Sequence, residues 1–172
     1  MTLTTSTTDP VPAAALPSPE LIMQLASGFM AAKPLFAANE LGLFEALADA
    51  PADLEALAAR VGLTSRSTRI SADAMVALGL LERRGERYAN GPAAAHYLAG
   101  RTPADLRPLL RFWDTISYPT WQRLAGALGS GPATEVFDLS DEQQEIVSAG
   151  IEAVLAGQGV LGDVHDLGVA NG

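Results

Sequence analysis

The sequence predicts a mainly α-helical chain with one small β-hairpin. Alanine and leucine dominate, and aromatic residues make up only 6% of the chain, a composition that favours helices over sheets. Apolar residues recur at helical spacing, and successive runs close on glycine or proline. The pattern changes at Leu80–Tyr88, which reads as two short extended arms around a turn containing Gly85.

Order is expected to begin at Ser18-Pro19-Glu20: a capping hydroxyl, a proline at the first helical position and an acid near the positive helix end. Residues 1–17, rich in Thr, Pro and Ala, are expected to form a disordered leader; they lack the basic start and apolar core of a signal peptide. Leu21, Leu25, Phe29 and Phe36 keep an apolar face, which Pro34 interrupts, so a kink or two helices are expected rather than one straight rod. Asn39–Ala48, with Leu41, Leu43, Phe44 and Leu47, reads as a further buried helical stretch.

Asp53 can cap a helix over Leu54–Val61, which Gly62 stops. Thr64 or Ser65 can cap the next, with Ile70, Ala74 and Leu78 as its apolar face and Gly79 as its end. Helix, short helix, turn, helix and hairpin, in that order, make a winged helix. Further helices are expected over Pro92–Leu98, Leu106–Ile116 and Pro119–Leu128, the last with Trp121, Leu124 and Leu128 on one side. After the break at Gly129-Ser130-Gly131-Pro132, Ser140 with Gln143 gives a capping-box signature for a long helix through Leu155.

The formal net charge of −9 argues against general nucleic-acid affinity. No Lys or Arg follows Arg123, yet from Asp53 to Gly91 six arginines face five acids. A DNA-binding regulator is therefore the main rival reading. Arg66 and Arg69 would lie on its recognition helix, and Arg83, Arg84 and Arg87 on its wing. Asp73, Glu82 and Glu86 among them favour surface salt bridges instead. A plain structural adaptor is a third reading. The absence of cysteine excludes disulfides, thiolate metal sites and cysteine nucleophiles, and fits a reducing, cytoplasmic setting. His96 and His165 stand far apart, no His/Asp/Glu spacing suggests a metal site, and no segment is expected to span a membrane.

Two stretches carry candidate function. Leu106–Ile116 bears Leu109, Leu110, Phe112, Trp113 and Ile116 around more than one face, so Phe112, Trp113 and Ile116 either pack as core or line a ligand pocket. The tail Asp166-Leu167-Gly168-Val169-Ala170-Asn171-Gly172 has the form D-x-G-x-x-x-G, and such a turn lets backbone approach a nucleoside closely. On spacing alone the tail is weak evidence.

The phrases ASGFMAAKPLFAANELGLFEALAD, LEALAARVGL, ALGLLERRGERYANGPAAAHYLAG and WQRLAGALGSG carry a resemblance. From Leu16 to Gly172 the sequence resembles the N-terminal part of S-adenosylmethionine-dependent O-methyltransferases with a winged-helix dimerisation domain, of the plant phenolic and bacterial natural-product kind. The resemblance implies a disordered leader at 1–17, a winged-helix dimerisation domain at 18–100, a helical connector and substrate lid at 101–158, and the first strand and loop of a Rossmann-like domain at 159–172. The helix pair Pro19–Ala48 carries more large apolar residues than a small winged helix can cover alone, which predicts a homodimer through Leu21, Leu25, Phe29 and Phe36. The resemblance implies a small aromatic or polyketide-like acceptor, for which Phe112, Trp113 and Ile116 are the candidate wall. It also places Asp166, Gly168 and Gly172 on the first loop for S-adenosylmethionine, with Val169 and Ala170 where the family has glycine or another very small residue. With only that loop present, the 172-residue chain is expected to be inactive and not to bind the cofactor.

Overall fold

The computed structural model describes residues 18–130 and 139–156. Helix α1 (Glu20–Ser27) leads into α2 (Phe29–Glu40). The Ser18 hydroxyl accepts from the Glu20 amide at 3.2 Å, but Pro19 rather than Ser18 stands at the N-cap, and the helix begins one residue later than expected, without a side-chain cap. The break between the two helices falls at Gly28, and α2 continues through Pro34. The proline therefore removes one hydrogen bond from the helix interior without ending it.

Taken together, Glu20–Glu40 is long and apolar enough to cross a membrane by length and composition, contrary to the expectation from sequence. Its second half nevertheless belongs to the folded domain: Phe36 and Ala38 are buried in the core, and Lys33 pairs with Asp114.

The buried helix expected over 39–48 is instead a turn. Gly42 takes a φ of 67°, a left-handed value that ends α2, and only Glu45–Leu47 recovers one turn of 3-10 helix. The burial pattern survives the change, because Leu43, Phe44 and Leu47 all enter the core while Leu41 stays 39% exposed.

Strand β1 (Ala52–Asp53) follows, then α3 (Leu54–Val61), α4 (Ser65–Ala77) and the hairpin β2 (Leu81–Arg84) and β3 (Arg87–Asn90). Asp53 caps α3 by accepting from the Ala56 amide at 2.9 Å, and Thr64 caps α4 by accepting from Ser67 at 3.2 Å. Gly62 closes α3 at a φ of 69°. The hairpin has a two-residue turn, Gly85-Glu86, set by the pairing of Arg84 with Arg87. β3 is the middle of a three-stranded antiparallel sheet, in the order β1-β3-β2, through Ala52 opposite Tyr88 and Asp53 opposite Arg87. β1 gave no signal in the sequence because two residues cannot display an alternating pattern.

The buried face of α4 is Thr68, Ala72 and Met75, whereas Ile70 is 64% and Leu78 42% exposed. Of the expected face, Ile70 and Leu78 are thus turned away from the core, while Ala74 is half-buried against its edge. α4 packs against α2, α3 and β2, around a centre filled by Tyr88, Phe44, Leu57 and Met75.

After α5 (Pro92–Tyr97), helix α6 (Arg107–Phe112) runs into a π-helical turn, Trp113–Ser117, and then α7 (Tyr118–Gln122) and α8 (Leu124–Ser130). Pro119 lacks an amide hydrogen, and the wide turn lies just before it. The Thr120 hydroxyl donates to the Ile116 carbonyl at 2.8 Å. Helix α9 (Asp141–Ala156) starts with the expected reciprocal cap: Gln143 N–H donates to the Ser140 hydroxyl at 3.3 Å, and Ser140 N–H to the Gln143 side chain at 3.0 Å. It packs along α6, where a side chain at Gly150 would meet Phe112 Cβ at 2.8 Å. Gly150→Ala is expected to cost about 1–3 kcal/mol through overpacking. Urea unfolding that shows no loss would place α9 elsewhere.

Candidate dimer surface and ligand wall

Helix α1 has no buried residue. Leu21, Ile22, Met23 and Leu25 are 61–74% exposed, and Phe29 and Met30 at the start of α2 are 53% and 64% exposed. Isolated exposed apolar residues are ordinary, but a contiguous set on one arm marks an interaction surface. Of the four residues expected at a dimer interface, Leu21, Leu25 and Phe29 lie on this surface. Phe36 does not: it is buried in the chain's own core, because α2 turns that side toward the rest of the domain.

The aromatic stretch divides in the same way. Phe112 is half-buried against Gly150 of α9, so it fills the α6–α9 seam instead of an open wall. Trp113, the next residue round, is 42% exposed, and Ile116 is half-buried. Trp121, Leu124 and Leu128 add a second exposed apolar group, at 66%, 43% and 77%. Asp166, Gly168 and Gly172 lie outside the described residues, as does His165. His96 is exposed, its ring edge-on to Tyr97.

Two ion pairs that the sequence did not suggest tie these regions together. Lys33 of α2 pairs with Asp114 in the π turn, and its ammonium also lies 5.0 Å from the Tyr118 ring centre and 5.7 Å from that of Phe36. Arg107 holds Asp105 through bonds of 2.9 and 2.6 Å and reaches across to Glu45. Asn39 adds a 3.3 Å bond to the Arg107 carbonyl. Such pairs span 62 and 81 positions of chain, which no local pattern can reveal. Beside Arg107 opens a cleft of about 570 Å³ bordered by Glu40, Glu45, Arg111, Glu142 and Ile146.

Burial alone would raise the Asp105 carboxyl, but the hydrogen bonds and charge of Arg107 overcome it and hold the group below the usual aspartate range. The same bonds from Asp105 push the Arg107 guanidinium up. A depressed folded value means that the stabilisation is present above the unfolded pKa of about 4 and is lost as pH falls through the folded one. Asp105→Asn is therefore expected to cost roughly 1.5–3 kcal/mol at neutral pH, with the gap to wild type closing in acid. Denaturant titrations at pH 7 and pH 3 would contradict this if the gap were constant.

On the hairpin, Arg83 meets Asp73 at 3.4 Å and Glu86 at 3.7 Å, and Arg84 meets Glu82 at 2.9 Å. Arg83 also lies over the ring of buried Tyr88, whose hydroxyl donates to Asp73 at 2.7 Å. Desolvation, then the bond to Asp73, raises the Tyr88 hydroxyl above its ordinary pKa. Two of the five arginines that a DNA-binding reading would use are thus committed within the domain.

Residues 23–100 match the family model of the O-methyltransferase dimerisation domain. The chain is similar to the tetracenomycin polyketide synthesis 8-O-methyltransferase of Streptomyces glaucescens, at 44% identity over 64% of this chain and 33% of that protein. It is also similar to the mouse acetylserotonin O-methyltransferase, at 40% identity over 64% of this chain and 30% of that enzyme. The human N-acetylserotonin methyltransferase, solved with S-adenosylmethionine, superposes with a TM-score of 0.63 at 31% identity, covering 86% of this chain and 46% of that one. The chain spans about a third of the length of these curated relatives. The match places an O-methyltransferase dimerisation domain at residues 23–100 of this chain.

Proposed function

We propose that this chain is the subunit-pairing and acceptor-covering part of a small-molecule O-methyltransferase that uses S-adenosylmethionine. The observation that carries the pairing half is the α1 arm, whose large apolar side chains have no cover among the described residues. Under this reading the unit at 18–100 is a winged helix used for homodimerisation, and 101–158 is the connector and lid. The chain works in the cytoplasm. Lys33–Asp114 and Arg107–Glu45 join the two parts, so that the lid helices are positioned by the dimerising unit.

If two folded subunits stabilise one another, the midpoint of thermal unfolding rises with protein concentration, because mass action favours the associated native state. A midpoint unchanged over a hundredfold dilution would count against pairing.

The cleft beside Arg107 does not itself fit the cofactor. It is bordered by carboxylates and arginines, with neither a glycine turn nor an aromatic face for a purine. Cofactor binding is therefore assigned to residues beyond those described, beginning with Asp166, Gly168 and Gly172. In the complete enzyme S-adenosylmethionine supplies the methyl group; the part of this chain is to cover and orient the acceptor.

Trp113 is the residue placed best for that. Relatives named for a polyketide pathway and for a 3-hydroxy-5-methyl-1-naphthoate support a flat aromatic acceptor, and a partly exposed indole offers such a molecule a large face with few rotatable bonds. Trp113→Ala is expected to leave this chain's melting temperature nearly unchanged, since the indole is 42% exposed, and to weaken acceptor binding in the full-length enzyme. A loss of about 3–5 kcal/mol in this chain would make Trp113 ordinary core.

A further inference from the structure

The π turn decides which side chains share a face. The Tyr118 amide donates to the Trp113 carbonyl, five residues back rather than four, so this turn holds one residue more than an α-helical one. α7 then resumes the regular helix. Trp121 therefore stands where the seventh residue after Trp113 would stand in an unbroken α-helix. Seven residues make nearly two full turns, which brings both indoles to one side, whereas the eighth position lies about 80° further round. Both rings face outward, at 42% and 66% exposure.

A wide turn gives up regular α-helical bonding, so it persists where its surroundings hold it. Lys33 of α2 touches both ends of this one. Its ammonium pairs with Asp114 at the start and lies 5.0 Å from the ring centre of Tyr118 at the end. Pro119 favours the turn as well, since its ring would crowd the Thr115 carbonyl in a tighter helix. The proline acts from within the helix, however, and only Lys33 ties the turn to α2.

We propose that Lys33 is a positioning residue: by clamping the π turn it keeps Trp121 in line with Trp113 and gives the acceptor wall two indoles instead of one. The proposal deepens the acceptor reading of Trp113 and rests on it. It adds Trp121 to the wall and makes α2, an element of the dimerisation domain, the part that sets their alignment.

The chain has no cysteine and two tryptophans, so the alignment can be read directly. A bimane label placed on Trp113→Cys is quenched by a nearby indole, here Trp121. Quenching is measured as brightness relative to the same labelled chain carrying Trp121→Phe. The expected result is quenching with Lys33 present, loss of it in Lys33→Met, and recovery in Lys33→Arg, whose guanidinium can also pair with Asp114 and stack on Tyr118. Arg107→Gln, which breaks the other joint between the two parts, is expected to lower the melting temperature and leave quenching as it was. Unchanged quenching in Lys33→Met would mean that Pro119 sets the turn by itself, and would overturn the proposal. An equal loss in Arg107→Gln would reduce the effect to general loosening and overturn it too, as would absence of quenching with Lys33 in place. If quenching follows Lys33 but Trp113→Ala leaves acceptor binding by the full-length enzyme unchanged, the acceptor reading fails while the alignment by Lys33 stands.

Discussion

Replacing Phe44 with alanine is expected to destabilise the domain by about 3–5 kcal/mol, the range for truncating a fully buried aromatic. Phe44 is wholly buried, on the turn between α2 and the sheet, in a cluster that joins Leu43, Leu47, Leu57, Met75, Leu81 and Tyr88. Its carbonyl accepts from the Asn90 side chain at 2.8 Å, so the same residue fixes the turn against β3. The substitution leaves that main-chain bond in place and removes only the ring, which makes the loss a measure of packing. Domains of this size hold about 5–15 kcal/mol in total, so the loss takes a large share of the stability and lowers the urea midpoint. Urea titration followed by circular dichroism reads the effect; a loss below about 1 kcal/mol would mean that the centre can collapse around the gap.

The second large effect is on association. Leu25→Glu with Phe29→Glu is expected to abolish the dimer while leaving the helical signal of the subunit intact. Both side chains are mostly exposed in the single chain, at 74% and 53%, so the new carboxylates are solvated when the subunits are apart. In an isologous contact each substitution enters twice, and burying unpaired carboxylates on an apolar face costs several kcal/mol apiece. Sedimentation of the double variant as a dimer would move the interface away from the arm. Loss of helical signal would mean instead that the arm folds on its own core, which its exposure contradicts.

Much of this architecture is legible in the sequence because its punctuation is local. Asp53, Gly62 and Thr64 mark helix ends by the hydrogen bonds and backbone angles those residues favour, and they occupy those places in the structure. Ser140 with Gln143 does the same for α9. Where tertiary packing decides, sequence reasoning failed. Apolar spacing put Ile70 and Leu78 inward on α4, but the core accepted Thr68, Ala72 and Met75. Phe36 and Phe29 look alike in one apolar run, and only the direction of α2 separates core from surface. The Arg107 and Lys33 joints escaped altogether, since their partners lie far along the chain. Of the candidate ligand wall, the aromatic stretch was legible as a stretch; which ring is free was not, because it depends on the absence of a side chain at Gly150.

That this chain pairs through its N-terminal arm is tested most directly by multi-angle light scattering of the wild-type 172-residue protein at high micromolar concentration. The arm's unburied face predicts a species of twice the 17.9 kDa chain mass. A single species of 17.9 kDa at that concentration would contradict it.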